Sequence, residues 1–371
     1  NNRYEEAEEE YKEALGIYQE LAKTNPSAYL PDVAMTLNNL GALHHDNSRY
    51  EEAEEKCKEA LGIRRELAAT NPSAYLPDVA TTLNNLGVLH KNNNRYDEAE
   101  KEYKEALVIR RELAAANPFA YLPDVAMTLY NLGNLHSDNN RYEEAEEEYK
   151  DALEIYRELA SANPSAYFPN VATTLNNLGN LHSENNRHEE AEEEYKEALR
   201  IYRELAATNP SAYLPDVAMT LNNLGILHKN NNRYEEAEKA YKEALRIFRE
   251  LAKANPDVYL SAVADTLDNL GNLHCMNNRY EEAEEEYKEA LGIYRELAEA
   301  NPSAYRPCVA DTLIGLGVLH YYNNRYEEAE KKLKEALGIY EEFAKIAPAA
   351  FQPKVEIVQN CLDELMGRYS D

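Results

Sequence analysis

Histidine is the residue whose spacing first suggests chemistry in this chain. One histidine recurs every 46 residues, at His44, His90, His136, His182, His228, His274 and His320. Imidazole is a common zinc ligand, but a zinc ion holds each ligating nitrogen only about 2.0–2.1 Å away. Packed helices lie about 8–10 Å apart, so single histidines from successive units cannot share one ion. We therefore expect these histidines to pack inside the fold, and we predict no metal site.

The sequence also lacks the usual catalytic motifs. It contains no glycine-rich phosphate loop, no nucleophile elbow and no HExxH motif. Carboxylate pairs are frequent, but they fall on predicted helix surfaces, away from any apolar pocket that could tune the pKa of a catalytic acid. We predict that the protein is not an enzyme and that it uses no cofactor.

Carboxamide side chains recur with the same period. In the first unit Met35, Asn38, Ala42 and His45 are spaced to share one helix face. An asparagine offers two hydrogen-bond donors and an acceptor, so a row of them could bind the backbone of an extended peptide. The alternative is that these amides, especially Asn39 and its equivalents, hold adjacent repeats together. The candidate ligand-binding residues are Asn38, Asn84, Tyr130, Asn134, Asn176, Asn180, Asn222, Asp268, Asn272, Lys91 and Lys229.

The net charge of −29, from 68 acidic and 39 basic residues, argues against two classes of partner. A surface this acidic repels nucleic-acid phosphates and anionic lipids, so we expect no nucleic acid and no membrane partner. Basic or neutral polypeptides remain as the partner class. No segment approaches the roughly 18 apolar residues of a membrane span. The four cysteines show no metal or disulfide spacing, which predicts a reducing, cytoplasmic environment.

Two helices are predicted in each 46-residue unit. Between Pro31 and Asp46 the apolar residues fall on one helical face, and proline suits the first helical position, so we predict that helix A starts at Pro31. Asparagine follows helix A because it tolerates the left-handed backbone that a helix exit often needs. Helix B is predicted over about 50–69, and the NPSAYLP segment between units is predicted to be a linker.

A glycine recurs in the middle of predicted helix A. Glycine inside a helix costs about 0.5–1 kcal/mol relative to alanine, so its recurrence indicates a close approach to another helix. We expect it to face Ala53 and the equivalent alanines of helix B. The series comprises Gly41, Gly87, Gly133, Gly179, Gly225, Gly271 and Gly317.

The residues of each unit resemble the tetratricopeptide repeat in type, order and spacing. The matching residues are Leu83, Leu86, Gly87, Ala99, Tyr103, Ala106 and Leu107 in one unit and Leu129, Leu132, Gly133, Ala145, Tyr149, Ala152 and Leu153 in the next. The unit is longer than the usual repeat and is similar to the long repeats of kinesin light chains and nephrocystin-like proteins. The resemblance covers essentially the whole chain. It implies an all-α fold, a right-handed superhelical α-solenoid of antiparallel helix pairs, whose asparagine face lines a concave groove.

We predict a single array over residues 1–371 with incomplete units at both ends. Residues 1–25 form an N-terminal half-repeat with helix B only, residues 26–347 form seven A/B repeats, and residues 348–371 form a C-terminal capping helix. An uncovered apolar flank at the first element would mark a contact surface or a truncation. We therefore expect end-to-end self-association between molecules, or a fragment of a larger protein.

The sequence thus predicts a non-catalytic scaffold that binds an extended polypeptide segment in the groove. Chaperone-binding members of the family use a basic clamp with lysine at the Asn38-type position, and the isolated Lys91 and Lys229 do not reproduce it. Two alternatives stay open: a structural array assembled by end-to-end stacking, and a sensor array from a larger signalling protein of the nucleotide-switch ATPase type. An apolar anchor, if the groove has one, is expected where the last full unit departs from the pattern, at Ile314, Gly315, Tyr321 and Tyr322.

Overall fold

The part of the chain that the structure describes consists of α-helices. The computed structural model describes residues 2–368, and residues 1 and 369–371 of the predicted terminal elements lie outside this range. Over these residues there are sixteen helices and no strand. The helices are α1 (Asn2–Thr24), α2 (Pro26–Asp46), α3 (Tyr50–Thr70), α4 (Pro72–Asn92), α5 (Tyr96–Ala116), α6 (Pro118–Asp138), α7 (Tyr142–Ala162), α8 (Pro164–Glu184), α9 (His188–Thr208), α10 (Pro210–Asn230), α11 (Tyr234–Ala254), α12 (Pro256–Met276), α13 (Tyr280–Ala300), α14 (Pro302–Tyr322), α15 (Tyr326–Ala344) and α16 (Pro348–Arg368). The prediction of an all-α fold built from 46-residue helix pairs is confirmed.

Even-numbered helices are of the A type and odd-numbered helices are of the B type. Helices that are neighbours in sequence, such as α2 with α3 and α10 with α11, form the main packing contacts, while successive A helices, such as α2 with α4 and α12 with α14, also touch. The chain divides into two compact units, Asn1–Leu181 and His182–Asp371.

Helix A begins five residues earlier than predicted. In the first repeat the helix starts at Pro26, directly after Asn25, and Pro31 lies inside it. Pro26 suits the first helical position because the N–H group there has no partner within the helix. Pro31 has no backbone N–H, so it leaves one hydrogen bond unmade inside the helix. Because proline is normally unfavourable inside a helix, the sequence predicted Pro31 as the first helical residue. The predicted NPSAYLP linker is therefore mostly helix, and Tyr29 packs half-buried against the Ala22, Val33 and Leu37 cluster.

The turn from helix A to helix B is a Schellman motif, in which a left-handed residue closes the helix end. In the first repeat the Arg49 N–H donates to the His44 carbonyl and the Ser48 N–H donates to the His45 carbonyl, both at 2.9 Å. The predicted left-handed asparagine is confirmed, with serine in the first copy. Residues with a φ of 56–59° at this position are Ser48, Asn94, Asn140, Asn186, Asn232, Asn278 and Asn324.

The helix A glycines do mark a close approach, but the main partner differs from the predicted alanine. A Cβ added at Gly87 would lie 2.6 Å from Cε1 of Tyr103, and one at Gly133 would lie 2.6 Å from Cδ1 of Tyr149. At Gly41 and Gly317 the smaller Cys57 and Leu333 take the place of tyrosine, and the Ala53 and Ala329 carbonyls lie 3.2 and 3.5 Å from the added Cβ. Glycine is needed because a helix B side chain occupies the space that a Cβ would fill.

In six repeats the arginine directly before helix B bonds a glutamate of the preceding helix B. The nitrogen–oxygen distances are 2.5–2.7 Å in six copies. Each of these glutamates is mostly buried, which screens the pair from solvent. The partner could not be read from the local sequence because it lies 41 residues earlier, in a different helix. The pairs are Arg49–Glu8, Arg95–Glu54, Arg141–Glu100, Arg233–Glu192, Arg279–Glu238 and Arg325–Glu284.

Candidate functional site

The candidate site is the A-helix face, defined as Met35, Asn38, Asn39, Ala42 and His45 of α2 with their equivalents in the other A helices. Met35 and Ala42 are exposed and Asn38, Asn39 and His45 are half-buried. The mixture of exposed and half-buried side chains leaves this face accessible to a partner, while Val33, Leu37 and His44 on the other face are buried.

Carboxamides of successive repeats bond each other along the A-helix face. Each contact joins an Asn39-series amide to the Asn38-series residue of the preceding repeat, 47 positions earlier. The donor–acceptor pairs are Asn85 to Asn38 at 3.3 Å, Asn131 to Asn84 at 3.2 Å and Asn269 to Asn222 at 3.3 Å. The Asn39 series therefore helps to hold adjacent repeats together, which was the structural alternative considered from the sequence.

Tyrosine joins this network in two repeats. The Asn177 amide donates to the Tyr130 hydroxyl at 2.9 Å and to the Asn134 side-chain oxygen at 3.0 Å. That oxygen also accepts a hydrogen bond from the Tyr149 hydroxyl at 2.7 Å. The acceptor capacity of Asn134 is thus used within the fold. In the second unit Tyr287 donates to Asn272 in the same way, at 2.9 Å.

The remaining predicted amides differ in how much of the side chain a partner could reach. Asn84 is 6 % exposed and also accepts a 3.4 Å hydrogen bond from Arg110, so it belongs to the interior of the network. Asn38 and Asn222 are half-buried, as are Asn176 and Asn180 of α8. The oxygens of Asn38 and Asn222 accept hydrogen bonds from the next repeat, and the described residues provide no acceptor for their side-chain NH₂ groups.

The two predicted basic residues have different surroundings. Lys91 bonds Asp138 of the next A helix at 2.8 Å, which neutralises it. Lys229 has Met276 at the position that corresponds to Asp138. Burial lowers the pKa of the Lys229 ammonium. The two lysines lie in different compact units, and Lys91 is already paired within its own.

The repeated histidines are buried, as predicted, and their electrostatic surroundings differ between copies. Nδ1 of His274 lies 2.7 Å from the Glu286 carboxylate. Burial lowers the pKa of His274, but the hydrogen bond that its imidazole donates to Glu286 and a contact with Glu238 outweigh it and leave the pKa raised. In three other copies burial lowers the histidine pKa, and the residue twelve positions later is lysine or alanine instead of glutamate. Those copies are His44, His228 and His320.

A cavity of about 600 Å³ lies on the A-helix face of the second compact unit (His182–Asp371), between α12 and α14. Its walls include Met276, Ile314, Val318 and Tyr322, with Asp268 at the α12 side. An apolar anchor, if the groove has one, was predicted at Ile314, Gly315, Tyr321 and Tyr322; three of these residues line the cavity, and binding there stays a prediction. The sequence did not predict that the Asp268 carboxylate lies in the same cavity as these apolar residues.

Asp268 is the unusual polar group of this cavity. Oδ2 accepts a 2.7 Å hydrogen bond from the Thr312 hydroxyl, whereas Oδ1 is buried and has no hydrogen-bond partner within residues 2–368. Burial, with smaller contributions from the charges of Asp265 and Asp311, raises the pKa of Asp268 to about 7. The site could therefore stabilise a positively charged or hydrogen-bond-donating group.

Three further features bear on function. No helix in the range 2–368 combines the length and apolarity that crossing a membrane requires. Within the same range, no group of three or more His, Cys, Asp or Glu side chains is placed to hold a metal ion. The four cysteines are free thiols.

Comparisons with known proteins agree with the helix-pair architecture. The family model described as "Tetratricopeptide repeat" matches residues 32–112, 78–158, 124–204, 216–296 and 263–342, which is well over half of the chain. No curated protein matches the chain.

Solved structures with similar folds come from several organisms. BtubC (BKLC) from P. vanneervenii is 26 % identical with a TM-score of 0.55, and the alignment covers 66 % of this chain and 90 % of that one. A Signal Transduction ATPase with Numerous Domains from Pyrococcus horikoshii, which carries a tetratricopeptide repeat sensor, is 14 % identical with a TM-score of 0.63. That alignment covers 97 % of this chain but only 50 % of the ATPase. A putative kinesin light chain from Podospora anserina with nearly identical TPR-like repeats is 18 % identical, with a TM-score of 0.47 and coverage of 61 % and 99 %.

Proposed function

Because the chain belongs to the tetratricopeptide repeat family, whose repeats serve protein–protein interaction, we propose that it is a non-catalytic scaffold whose A-helix face binds an extended polypeptide segment. The observation that supports this proposal is the row of half-buried carboxamides on that face. Such residues contribute little to a hydrophobic core, and Asn38 and Asn222 keep NH₂ donors that the described residues do not use.

The hydrogen bonds between amides of adjacent repeats also orient the NH₂ groups of this row for binding. An asparagine whose oxygen is held by the next repeat has a fixed side-chain orientation, so its NH₂ group is positioned before any ligand arrives. Preorganised donors lose less conformational entropy on binding than free ones. In the first unit the proposed contact residues are Asn38, Asn134, Asn176 and Asn180, and in the second they are Asn222, Asp268 and Asn272.

The charge of the protein defines the class of partner. With a net charge of −29 it would repel nucleic acids and anionic membranes and would attract basic segments at long range. The four free thiols are consistent with a reducing compartment such as the cytoplasm. The proposed partner is thus a neutral or basic polypeptide, bound without a cofactor.

The experiment that tests this function begins with a partner captured by cross-linking and pull-down from the source cell. The double variant Asn38→Ala and Asn222→Ala should weaken its binding about tenfold, because two hydrogen bonds of about 0.5–1.5 kcal/mol each are lost. Calorimetric titration would measure the affinity. The variant also loses the acceptors for Asn85 and Asn269, so a loss of stability of about 1–3 kcal/mol is expected, and circular dichroism should show that it is still fully folded at the titration temperature.

A matched control is Gln19→Ala, which removes an exposed carboxamide from α1, outside the A-helix face. We expect unchanged binding for this variant. Equal affinities for the parent protein and the double variant would contradict the proposal, and so would a large loss of stability that accounts for the weaker binding.

End-to-end self-association stays a second proposal, favoured by apolar side chains that are exposed on the first and last helices. Ile17 and Leu21 on α1 are 54 % and 37 % exposed, and Ile357 on α16 is 56 % exposed. Light scattering should then show a molar mass that rises with concentration, and Ile17→Glu should abolish the rise. A constant monomer mass up to high concentration would exclude this assembly.

A further inference from the structure

The row of amide pairs on the A-helix face is interrupted between α12 and α14. One repeat earlier, the Asn269 amide donates to Asn222 at 3.3 Å. In the next repeat Gly315 occupies the position of the donor Asn269, and Asp268 occupies the position of the acceptor Asn222. The missing amide explains why Oδ1 of Asp268 is buried without a hydrogen-bond partner in the described part of the chain.

Gly315 also lines the cavity. A Cβ added at Gly315 would lie 2.8 Å from Cε1 of Tyr287, so the ring of Tyr287 occupies the space that a side chain would need and no amide can stand beside Asp268. The cavity has a volume of about 600 Å³, within the range of small-ligand sites. Two apolar walls, formed by Ile314 and Val318, face this space together with the ring of Tyr322.

The charges around the cavity are complementary to a cation. Asp268 and Asp311 are both among its lining residues, and no lysine, arginine or histidine is among them. Asp311 is already neutralised by Lys354, whose Nζ lies 2.9 Å from its carboxylate. Asp268 has no such cation, and the pKa of its carboxyl is raised to about 7 by burial and by the neighbouring Asp265 and Asp311. A buried carboxylate without a cation is costly, and a ligand cation would remove that cost.

We propose that this cavity binds an arginine side chain of a polypeptide partner, with its guanidinium group on Asp268 and its alkyl chain against Ile314 and Val318. The proposal rests on the proposed polypeptide-binding function and adds the chemistry of one bound residue. Arginine fits better than lysine because its planar guanidinium is weakly hydrated and stacks on aromatic rings, which Tyr322 supplies.

Methionine methyl NMR tests this proposal on the intact protein. The chain has only five methionines, and Met276 lines the cavity while Met35 and Met127 lie in the other unit. The probe is N-acetyl-arginine amide, and the neutral isostere N-acetyl-citrulline amide is its comparison. We expect the arginine probe to shift the Met276 methyl signal, assigned with Met276→Leu, while Met35 and Met127 stay unchanged. The citrulline probe should produce no shift.

The decisive variant is Asp268→Asn, which introduces the residue found at the equivalent positions Asn38 and Asn222 and so should fold normally. It should weaken binding of the arginine probe at least tenfold. The control Asp257→Asn removes the same charge from an exposed position on α12 and should bind as the parent protein does. An unmoved Met276 signal, an equal response to citrulline, or undiminished binding by Asp268→Asn would overturn the proposal.

These outcomes separate the arginine cavity from the wider function. If a captured partner depends on Asn38 and Asn222 while the arginine probe leaves Met276 unmoved, the cavity proposal is wrong and the scaffold stands. If Met276 responds with the expected dependence on Asp268 but no polypeptide is captured, the cavity proposal holds and the scaffold fails.

Discussion

At the residue scale, near-identical repeats act as internal controls for one another. Tyr103 and Tyr149 lie against glycine, whereas Cys57 fills the same position with a smaller side chain. His274 faces Glu286 and His228 does not, and the pKa of the first is raised while that of the second is lowered. Comparison of the copies thus shows that one substitution in a neighbouring residue changes the packing against the glycine or the pKa of the histidine.

The glycine contact yields a stability prediction. Gly133→Ala should lower the free energy of unfolding by about 1–3 kcal/mol, because the new Cβ would lie 2.6 Å from the Tyr149 ring and overpack the contact. The midpoint of urea unfolding would measure the change.

Gly62→Ala is the matched control, since a Cβ at Gly62 meets nothing within 4 Å. It should stabilise the helix by about 0.5–1 kcal/mol. Equal effects at the two glycines would show that the tyrosine contact has no energetic consequence.

At the element scale, the helix ends are controlled by single residues. Helix A starts at the proline that can occupy its first position, and the Schellman turn at its other end needs a left-handed residue. Asparagine fills that turn in six of the seven copies, and serine fills it once, with a φ of 59° at Ser48.

Ser48→Gly should therefore stabilise the first A/B turn. A left-handed backbone costs a residue with a Cβ about 1–2 kcal/mol, and glycine has no such cost, so a gain of about 1 kcal/mol is expected after its greater freedom in the unfolded chain is allowed for. Thermal and urea unfolding would both report it. Ser48→Ala keeps the Cβ and should give no gain, whereas equal gains from glycine and alanine would contradict the turn explanation.

At the scale of the whole molecule, charge pairs between repeats couple stability to pH. The pKa values of Glu8, Glu238 and Glu284 are lowered to about 2, chiefly by hydrogen bonds from arginine. At Glu54 and Glu100 burial raises the pKa, but bonds from lysine and arginine outweigh it and bring the pKa to about 2. Each group stabilises the fold above its unfolded pKa of about 4.3 and loses that effect as the pH falls toward 2.

Acid unfolding should expose this coupling. Glu54→Gln should be less stable than the parent protein at pH 7, and the difference should shrink below pH 4 and disappear only below pH 2, where Glu54 is protonated in the folded protein as well. Urea unfolding at several pH values would give the difference. Glu55→Gln, at an exposed neighbouring position, should show none, and a Glu54 effect independent of pH would exclude an electrostatic cause.

Much of the fold followed from the sequence because repeated units specify it many times. The 46-residue period, the helix B face through Ala53 and Leu61, and the left-handed turn residue all depend on local spacing and backbone preference. Helix A's start did not follow, because Pro26 and Pro31 are both acceptable locally and only the path of the preceding helix decides between them.

The sequence by itself determined the repeat family, the helix pairs and the face on which the amides lie. Only the tertiary structure decided that those amides bond one another across repeats and that each glutamate of the interhelical pairs contacts an arginine 41 residues later. It also decided that Oδ1 of Asp268 has no amide donor, because Gly315 occupies the donor position. The physical reason is that these contacts join residues in different helices. Their distances depend on how successive repeats stack, whereas helix periodicity is a property of neighbouring residues in one segment.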